Sequence, residues 1–138
     1  MSEPPEILRK VRQWVEKAEH DFTTSEYLAA LREGCPFDII CFHAQQCAEK
    51  YLKGFLTSRS ADFPKTHDLV VLLNLAGGAK TLGVVLLDVE PLNRYPIEAR
   101  YPGDWDSFTR EEAEEAVRLA RKIREAVRRH LPPATLGG

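Results

Sequence analysis

The stretch Phe37–Leu56, FDIICFHAQQCAEKYLKGFL, decides the fold of this chain. Its apolar and small residues recur at steps of three and four, the spacing of one buried helical face: Phe37, Ile40, Cys41, Ala44, Cys47, Ala48, Tyr51, Leu52, Phe55 and Leu56. A second set gives the same helix a distinct polar side: His43, Gln45, Gln46, Glu49, Lys50 and Lys53. The pattern therefore predicts a long amphipathic helix over about residues 36–58.

The length and composition are those of one globular domain. The chain has 138 residues, of which 43% are hydrophobic and 29% charged, and its net charge is −2. A charge so close to zero provides no global field that would draw the protein to nucleic acid or to a membrane. No uncharged run approaches the roughly 20 residues of a spanning helix, and the first residues, MSEPPEILRK, lack the order of a signal peptide. We therefore expect a single cytoplasmic domain over residues 1–138 without membrane association, with a core at about 5–131 and a flexible tail at 132–138.

Three cysteines lie on or beside the helix of residues 36–58, at Cys35, Cys41 and Cys47. Successive cysteines are six residues apart, and six residues turn a helix by about 240° beyond one whole turn. The three thiols therefore cannot converge on one metal ion, and the sequence has no CxxC pair. We expect buried structural thiols in a reducing compartment and no metal site.

The segments before and after this helix are also predicted to be helical. Residues 5–33 carry an apolar stripe at steps of three and four, and Gly34 is suited to end that helix. A third helix is predicted from His67 to about Ala76, with Thr66 as its N-cap. Thr109 and Glu112 have the spacing of a capping box, which begins a last helix over about residues 110–131.

The most ambiguous segment is residues 81–98. Its apolar run at 84–89 has the length of a buried strand, but no other segment offers that strand a partner, so a helix disturbed at Pro91 and Pro96 is predicted. The apolar first half is expected to be buried in the core or in a subunit contact. The chain as a whole is predicted to be all-α, an up-and-down antiparallel bundle of four to five helices.

The sequence supports none of the common catalytic motifs. A di-iron carboxylate bundle needs Glu-x-x-His pairs, and none of the four histidines has a glutamate three positions earlier. The phosphate-binding pattern GxxxxGK[ST] is absent. No motif joins a Ser or Cys nucleophile to a histidine. We therefore expect neither a metal nor a cofactor.

Two polar features have more than one interpretation. The last helix carries a basic strip: Arg118, Arg121, Lys122, Arg124, Arg128 and Arg129. Such a strip would suit binding of RNA or phosphate. However, acidic residues begin this helix and basic residues end it, an arrangement that stabilises the helix itself. The polar side of the helix at 36–58 suits a seam between helices or subunits, or contacts to a ligand; it is formed by His43, Gln45, Gln46, Glu49 and Lys50.

The run FHAQQCAEKYLKGFL, followed by THDLVVLL and ARYPG, resembles the HEPN family (higher eukaryotes and prokaryotes nucleotide-binding domain). The segments WVEKAEHDFTTSEYLAAL and TREEAEEAVRLARKIREAV are similar to the first and last helices of that family. The resemblance covers roughly residues 8–131, and its most specific part is Gln45, Gln46, Ala48, Glu49 and Lys50. It implies a dimeric helical bundle, often paired with a minimal nucleotidyltransferase in a toxin–antitoxin-like system.

The resemblance also implies a possible activity, because many members of the family are metal-independent endoribonucleases with an Arg-x4-6-His motif near the start of the last helix. This chain has no histidine between His67 and His130, so that motif is absent from the expected place. Arg124 and His130 satisfy the spacing, but on one helix their side chains would be about 120° and about 9 Å apart. The sequence therefore favours a homodimeric module that binds a nucleotide or a nucleotidyltransferase partner, with Arg100, Arg94 and Tyr101 as candidate nucleotide contacts. The alternative is a ribonuclease toxin that acts on RNA through Arg124 and His130.

Overall fold

The protein is an all-α bundle, as the sequence predicts. The structure, a computed structural model, describes residues 4–93, 95 and 108–137. Within these residues no strand is present, and six α-helices are followed by a short 3-10 helix at Pro133–Thr135. The helices are α1 (Pro5–Ala29), α2 (Phe37–Ser58), α3 (Leu69–Leu75), α4 (Gly78–Leu82), α5 (Leu86–Asn93) and α6 (Arg110–Arg128).

Three long helices, α1, α2 and α6, build the core. Contacts along α1 show its direction relative to α2, because Trp14 lies against Gly54 while Asp21 lies against His43. The two helices are therefore antiparallel neighbours, as their short connection predicts. On α6, Arg121 pairs with Glu26 of α1, and the later Arg124 pairs with the earlier Glu19. Helix α6 is therefore antiparallel to α1 and parallel to α2. The inward stripe of α2 predicted from the sequence is almost entirely buried.

The third helix begins two residues later than the sequence predicts. Its N-cap is Asp68 rather than Thr66, because the Asp68 carboxylate accepts hydrogen bonds from the backbone N–H groups of Val70 and Val71. The Asn93 amide at the end of α5 also donates to Asp68 Oδ1, at 3.0 Å. Helices α3 and α5 are thus joined at one end, with the start of α3 beside the end of α5.

The predicted helix over residues 81–98 is divided in the structure. Its first two residues, 81 and 82, belong to a short helix, α4. This helix is flanked by Gly77 (φ 90°) and Gly83 (φ 72°), both in the left-handed conformation that glycine adopts without a steric penalty. Helix α5 then begins at Leu86, and its described part continues through Pro91 to Asn93. Periodicity does not reveal this interruption, because the apolar run continues across it. Pro96 lies outside the described residues.

The chain after α6 is packed on the bundle. The sequence predicts a helix to about residue 131 and a flexible tail from residue 132, whereas α6 ends at Arg128 and residues 133–135 form a 3-10 helix against α1. Thr135 is buried, and its hydroxyl donates to the Pro132 carbonyl at 2.7 Å. Among the described helices, none has the length and hydropathy needed to cross a membrane.

Candidate functional site

The most concentrated group of charges lies where α1, α2 and α6 meet. We call Glu19, Tyr51, Arg124 and Arg128 the Glu19 network. The Arg124 guanidinium donates two hydrogen bonds to the Glu19 carboxylate, from Nε at 2.7 Å and from Nη2 at 2.8 Å. The Tyr51 hydroxyl donates to the same carboxylate and accepts from Arg128 Nη1 at 3.1 Å. One carboxylate therefore connects all three long helices.

The helical spacing of α6 explains how its cations reach α1. Arg121, Arg124 and Arg128 recur at steps of three and four, so they follow the edge of the buried face of α6. Each guanidinium can cover apolar surface while keeping its charged end at a carboxylate. Arg124 lies over the ring of Phe22, 4.9 Å from its centroid, as it reaches Glu19.

Charge pairing in the Glu19 network shifts the pKa values of its members. Burial by itself raises the pKa of Glu19, but hydrogen bonds from Arg124 and Tyr51, with the charges of Arg124 and Arg128, outweigh it and leave this pKa below its ordinary value. Burial and the hydrogen bond to Glu19 raise the pKa of Tyr51. The pKa of Arg124 is raised by its hydrogen bond to Glu19. The network is therefore a fixed set of charges, with a neutral phenol, at neutral pH.

The predicted polar side of α2 divides into two groups. His43 Nδ1 lies 2.7 Å from Asp21 Oδ1, and Lys50 donates to Asp21 Oδ2 at 2.6 Å, so these two residues face α1. Gln45 and Glu49 face the other way, toward His67.

In the second group, Glu49 Oε1 lies 2.8 Å from His67 Nδ1, and Lys53 donates to Glu49 Oε2 at 3.0 Å. Gln45 Nε2 donates to the His67 carbonyl at 3.2 Å, and Gln46 Nε2 donates to Gln45 Oε1 at 2.8 Å. The sequence predicts His67 as the first residue of the third helix, whereas it precedes α3 and its ring lies against a carboxylate on α2.

These polar groups satisfy one another inside the chain. Within the residues that the structure describes, no buried side-chain nitrogen or oxygen lacks a hydrogen-bond partner. Buried polar groups are normally hydrogen-bonded, and the partners found for this side of α2 lie in the same chain. The geometry of α2 is thus that of a polar seam between helices.

The two candidates for ribonuclease chemistry, Arg124 and His130, are not brought to a common group. Arg124 is held by Glu19 on one side and covers Phe22 on the other. His130 is exposed in the turn that follows α6, and its ring lies edge-on to Phe55 at a centroid distance of 6.3 Å. The two side chains therefore have different neighbours, in agreement with the angular separation expected from the sequence.

The other candidates have two different outcomes. Arg94, Arg100 and Tyr101 lie outside the described residues. Four members of the basic strip pair with carboxylates of other helices: Arg121 with Glu26, Lys122 with Asp88, and both Arg124 and Arg128 with Glu19. Most of the strip therefore stabilises the bundle by contacts between helices, and not only through the helix dipole.

No group of three or more metal-ligating side chains occurs in the described part of the chain. Cys41 and Cys47 are buried, and Cys35 Sγ donates to the Leu28 carbonyl at 3.2 Å. Burial, and then the charges of Glu19 and Asp21, raise the pKa of Cys47 well above its ordinary value. Cys47 is consequently a neutral thiol and a poor nucleophile.

Sequence reasoning missed two carboxylates of α1, Glu19 and Asp21, that bind side chains of other helices. A signal was present for Asp21, because Ala18, Asp21, Phe22 and Ser25 stand at positions i, i+3, i+4 and i+7 of the inward face. A charged residue at such a position needs a buried partner. No comparable signal marks Glu19, whose partners come from α2 and α6.

Comparison with known proteins gives a consistent result. A family model described as HEPN domain matches residues 11–130. The structure is similar to the crystal structure of ST0689, described as an archaeal HEPN homologue, with a TM-score of 0.70 and 25% identity over 87% of this chain and 96% of that one. It is also similar to the crystal structure of TT1696 from Thermus thermophilus, with a TM-score of 0.69 and 33% identity over 88% of this chain and 98% of that one. No match was found among curated protein sequences.

Proposed function

The chain belongs to the HEPN family, and from that premise we propose that it is a non-catalytic module that binds a nucleotide and a minimal nucleotidyltransferase partner. The pair would act as a toxin–antitoxin-like system, as the family resemblance implies. The protein would form a homodimer.

The observation that carries the proposal is the bidentate contact between Arg124 and Glu19. A ribonuclease of this family needs an arginine and a histidine directed at one RNA phosphate. Arg124, however, has its charge neutralised by a carboxylate whose side chain is only 29% exposed. To bind RNA, it would have to leave two charge-assisted hydrogen bonds and take the nearest cation away from Glu19, which is unfavourable. This contact supports the non-catalytic part of the proposal, because it occupies the arginine that RNA cleavage would need.

The nucleotide contacts belong to the segment with Arg94, Arg100 and Tyr101 in this proposal. Two guanidinium groups supply bidentate donors for phosphate, and a tyrosine ring supplies a surface on which a base can stack. The support is the similarity of ARYPG to the family sequence together with this chemistry.

Exposed apolar side chains on α3 and around the start of α5 support a contact with a second copy of the chain. Leu87 is 76% exposed, Leu75 48%, Leu86 45% and Val85 43%. Because α3 and α5 are antiparallel, Leu75 at the end of α3 comes close to the start of α5. Exposed apolar patches of this kind mark interaction surfaces, and a two-fold axis would bury the same patch of both copies. We assign the dimer contact to this surface.

Incubation with structured RNA in the presence of a chelator separates the proposal from the ribonuclease alternative. The wild-type protein should leave the RNA intact. Arg124→Ala and His130→Ala variants serve as matched controls for contaminating nuclease, because any such activity would be the same in all three preparations. Metal-independent cleavage by the wild type that disappears in either variant would contradict the proposal.

Nucleotide binding can be measured by equilibrium dialysis with ATP. The Arg100→Gln variant should bind ATP at least about tenfold more weakly, since it loses a charge-assisted contact to phosphate. The control is Arg118→Gln, which removes the same charge from an exposed position on α6. Equal affinity in the two variants would refute the assignment of Arg100.

A further inference from the structure

A second basic site lies at the end of the bundle where α2 and α6 both finish. It is an open cleft of about 440 Å³ lined by Ser58, Arg59, Arg129, His130, Leu131 and Pro132. That volume lies within the range of roughly 300–1,000 Å³ that small-molecule sites occupy. We call it the Arg59–Arg129 cleft. The sequence analysis singled out Arg129, as part of the basic strip, and His130, but not Arg59, which lines the same cleft.

The cations of this cleft differ from those that stabilise the bundle. Neither Arg59 nor Arg129 lies within 4.0 Å of a carboxylate in the described part of the chain, whereas four cations earlier on α6 have such partners. Glu125 stands four residues before Arg129, yet it forms no ion pair with it. The guanidinium donors of both arginines are therefore free to receive an anion.

The ring of Phe55 holds two of the lining groups in place. Phe55 is buried, the Arg59 guanidinium lies 4.9 Å from its ring centroid, and His130 meets the same ring edge-on. A cation over an aromatic face and an edge-on ring pair are both favourable geometries. Arg59 and His130 are thus positioned by a fixed platform, which lowers the entropy that a ligand must remove on binding.

Helix dipoles account for part of this arrangement but not for all of it. Both α2 and α6 end here, and the partial negative charge of each C-terminus favours a cation nearby. That effect explains why arginine is tolerated at either end. It does not supply acceptors for the guanidinium donors, and it does not require the two arginines and the histidine to line the same cleft. The hydroxyl of Ser58 already donates to the Phe55 carbonyl, so the ligand's donors are the two arginines and His130.

We propose that the Arg59–Arg129 cleft binds a small anion that carries phosphate groups, at a site separate from the segment of Arg94, Arg100 and Tyr101. Arginine presents planar pairs of N–H donors that match phosphate oxygens, and two arginines can neutralise more than one phosphate charge. The ligand class is a polyphosphate, either inorganic or as the tail of a nucleotide. This inference does not depend on the nucleotidyltransferase partner or on Arg100.

Isothermal titration calorimetry of the full chain with inorganic tripolyphosphate tests the site at an ionic strength of about 0.15 M, where weak surface attraction is screened. The wild type should bind tripolyphosphate. A double variant that carries both Arg59→Gln and Arg129→Gln should bind it about tenfold or more weakly. The control Arg118→Gln should change the affinity by less than about twofold, because Arg118 is an exposed arginine on the same helix and lies outside the cleft.

Parallel titrations with ATP and adenosine identify the source of the phosphate groups. If ATP and tripolyphosphate bind with equal affinity and adenosine does not bind, the cleft recognises phosphate alone. If ATP binds more tightly than tripolyphosphate, and its binding also depends on Arg59 and Arg129, the cleft contacts the base as well. Arg100→Gln should leave the tripolyphosphate-induced amide shifts of Ser58, Arg59 and His130 unchanged, so a failure of the nucleotide proposal would not affect this result.

The proposal is overturned if tripolyphosphate fails to bind the wild type, or if Arg118→Gln weakens binding as much as the double variant does. Amide chemical shifts give an independent check that needs no variant. Tripolyphosphate should move the resonances of Ser58, Arg59 and His130, and shifts confined to other residues would contradict the site.

Discussion

Glu19→Gln is the substitution that examines the Glu19 network most specifically. The glutamine has nearly the same size and keeps one oxygen that can accept a hydrogen bond, so packing is preserved while the negative charge is removed. Arg124 then loses its counter-charge, and the second oxygen that accepted its bidentate contact becomes an amide nitrogen. Arg128, which lies 3.9 Å from Glu19, also loses its nearest carboxylate.

The expected loss of stability follows from how exposed the pair is. Breaking a fully buried ion pair costs about 3–5 kcal/mol, whereas an exposed pair is worth about 0–1 kcal/mol. The Glu19 and Arg124 side chains are 29% and 24% exposed, so the pair stands between these limits. Because glutamine retains one acceptor, we expect a loss of about 2 kcal/mol in the free energy of unfolding.

Urea denaturation followed by circular dichroism measures this loss. With a slope of about 2 kcal/mol per molar for a small domain, the midpoint should fall by about 1 M without a change in slope. The matched control is Glu26→Gln, which breaks the Arg121–Glu26 pair between the same two helices, where both side chains are more than 40% exposed. Its expected cost is below about 1 kcal/mol. If the two variants were destabilised equally, the claim that the Glu19 network anchors the bundle would be refuted.

Three further predictions concern pH, the dimer contact and the α3 cap. The pKa of Glu19 is lowered in the folded state, so its stabilising effect is present above its ordinary value of 4.5 and is lost as the pH falls through the folded pKa. The urea midpoints of wild type and Glu19→Gln should therefore converge as the pH falls from 7 to below 4.5. Leu87→Glu should convert the proposed dimer to a monomer in light scattering, whereas Tyr27→Glu, at a 72% exposed position on α1, should leave that dimer intact. Asp68→Ala should cost about 1–2 kcal/mol in urea melts, because α3 loses its N-cap and its contact with Asn93; Asp62→Ala, in the exposed loop before α3, should cost less than about 0.5 kcal/mol.

The sequence was sufficient for the long helices because their signals are local. The three–four spacing of α2 and the capping box of Thr109 and Glu112 both lie within one segment, and the structure contains both. The break at Gly83 was not predictable in the same way, because the apolar run 84–89 that follows it fits a helical and an extended pattern equally well.

The candidate sites depend on contacts between distant residues, and the sequence does not display those. Glu19 and Arg124 are 105 positions apart, and Arg59 meets Arg129 and His130 only because α2 and α6 end together. The basic strip of α6 shows the same limit, because its composition was visible but its carboxylate partners on α1 and α5 were not. Its composition alone could not distinguish a phosphate-binding surface from a set of ion pairs between helices.

The most direct measurement of the proposed function is the mass of the complex formed with the proposed partner, a minimal nucleotidyltransferase. The two proteins would be co-expressed with a tag on the nucleotidyltransferase only, purified, and examined by size-exclusion chromatography with light scattering. We expect one complex of fixed stoichiometry that contains a dimer of this chain and leaves structured RNA uncut. Separate elution of the two proteins at micromolar concentration, together with RNA cleavage by this chain alone, would contradict it.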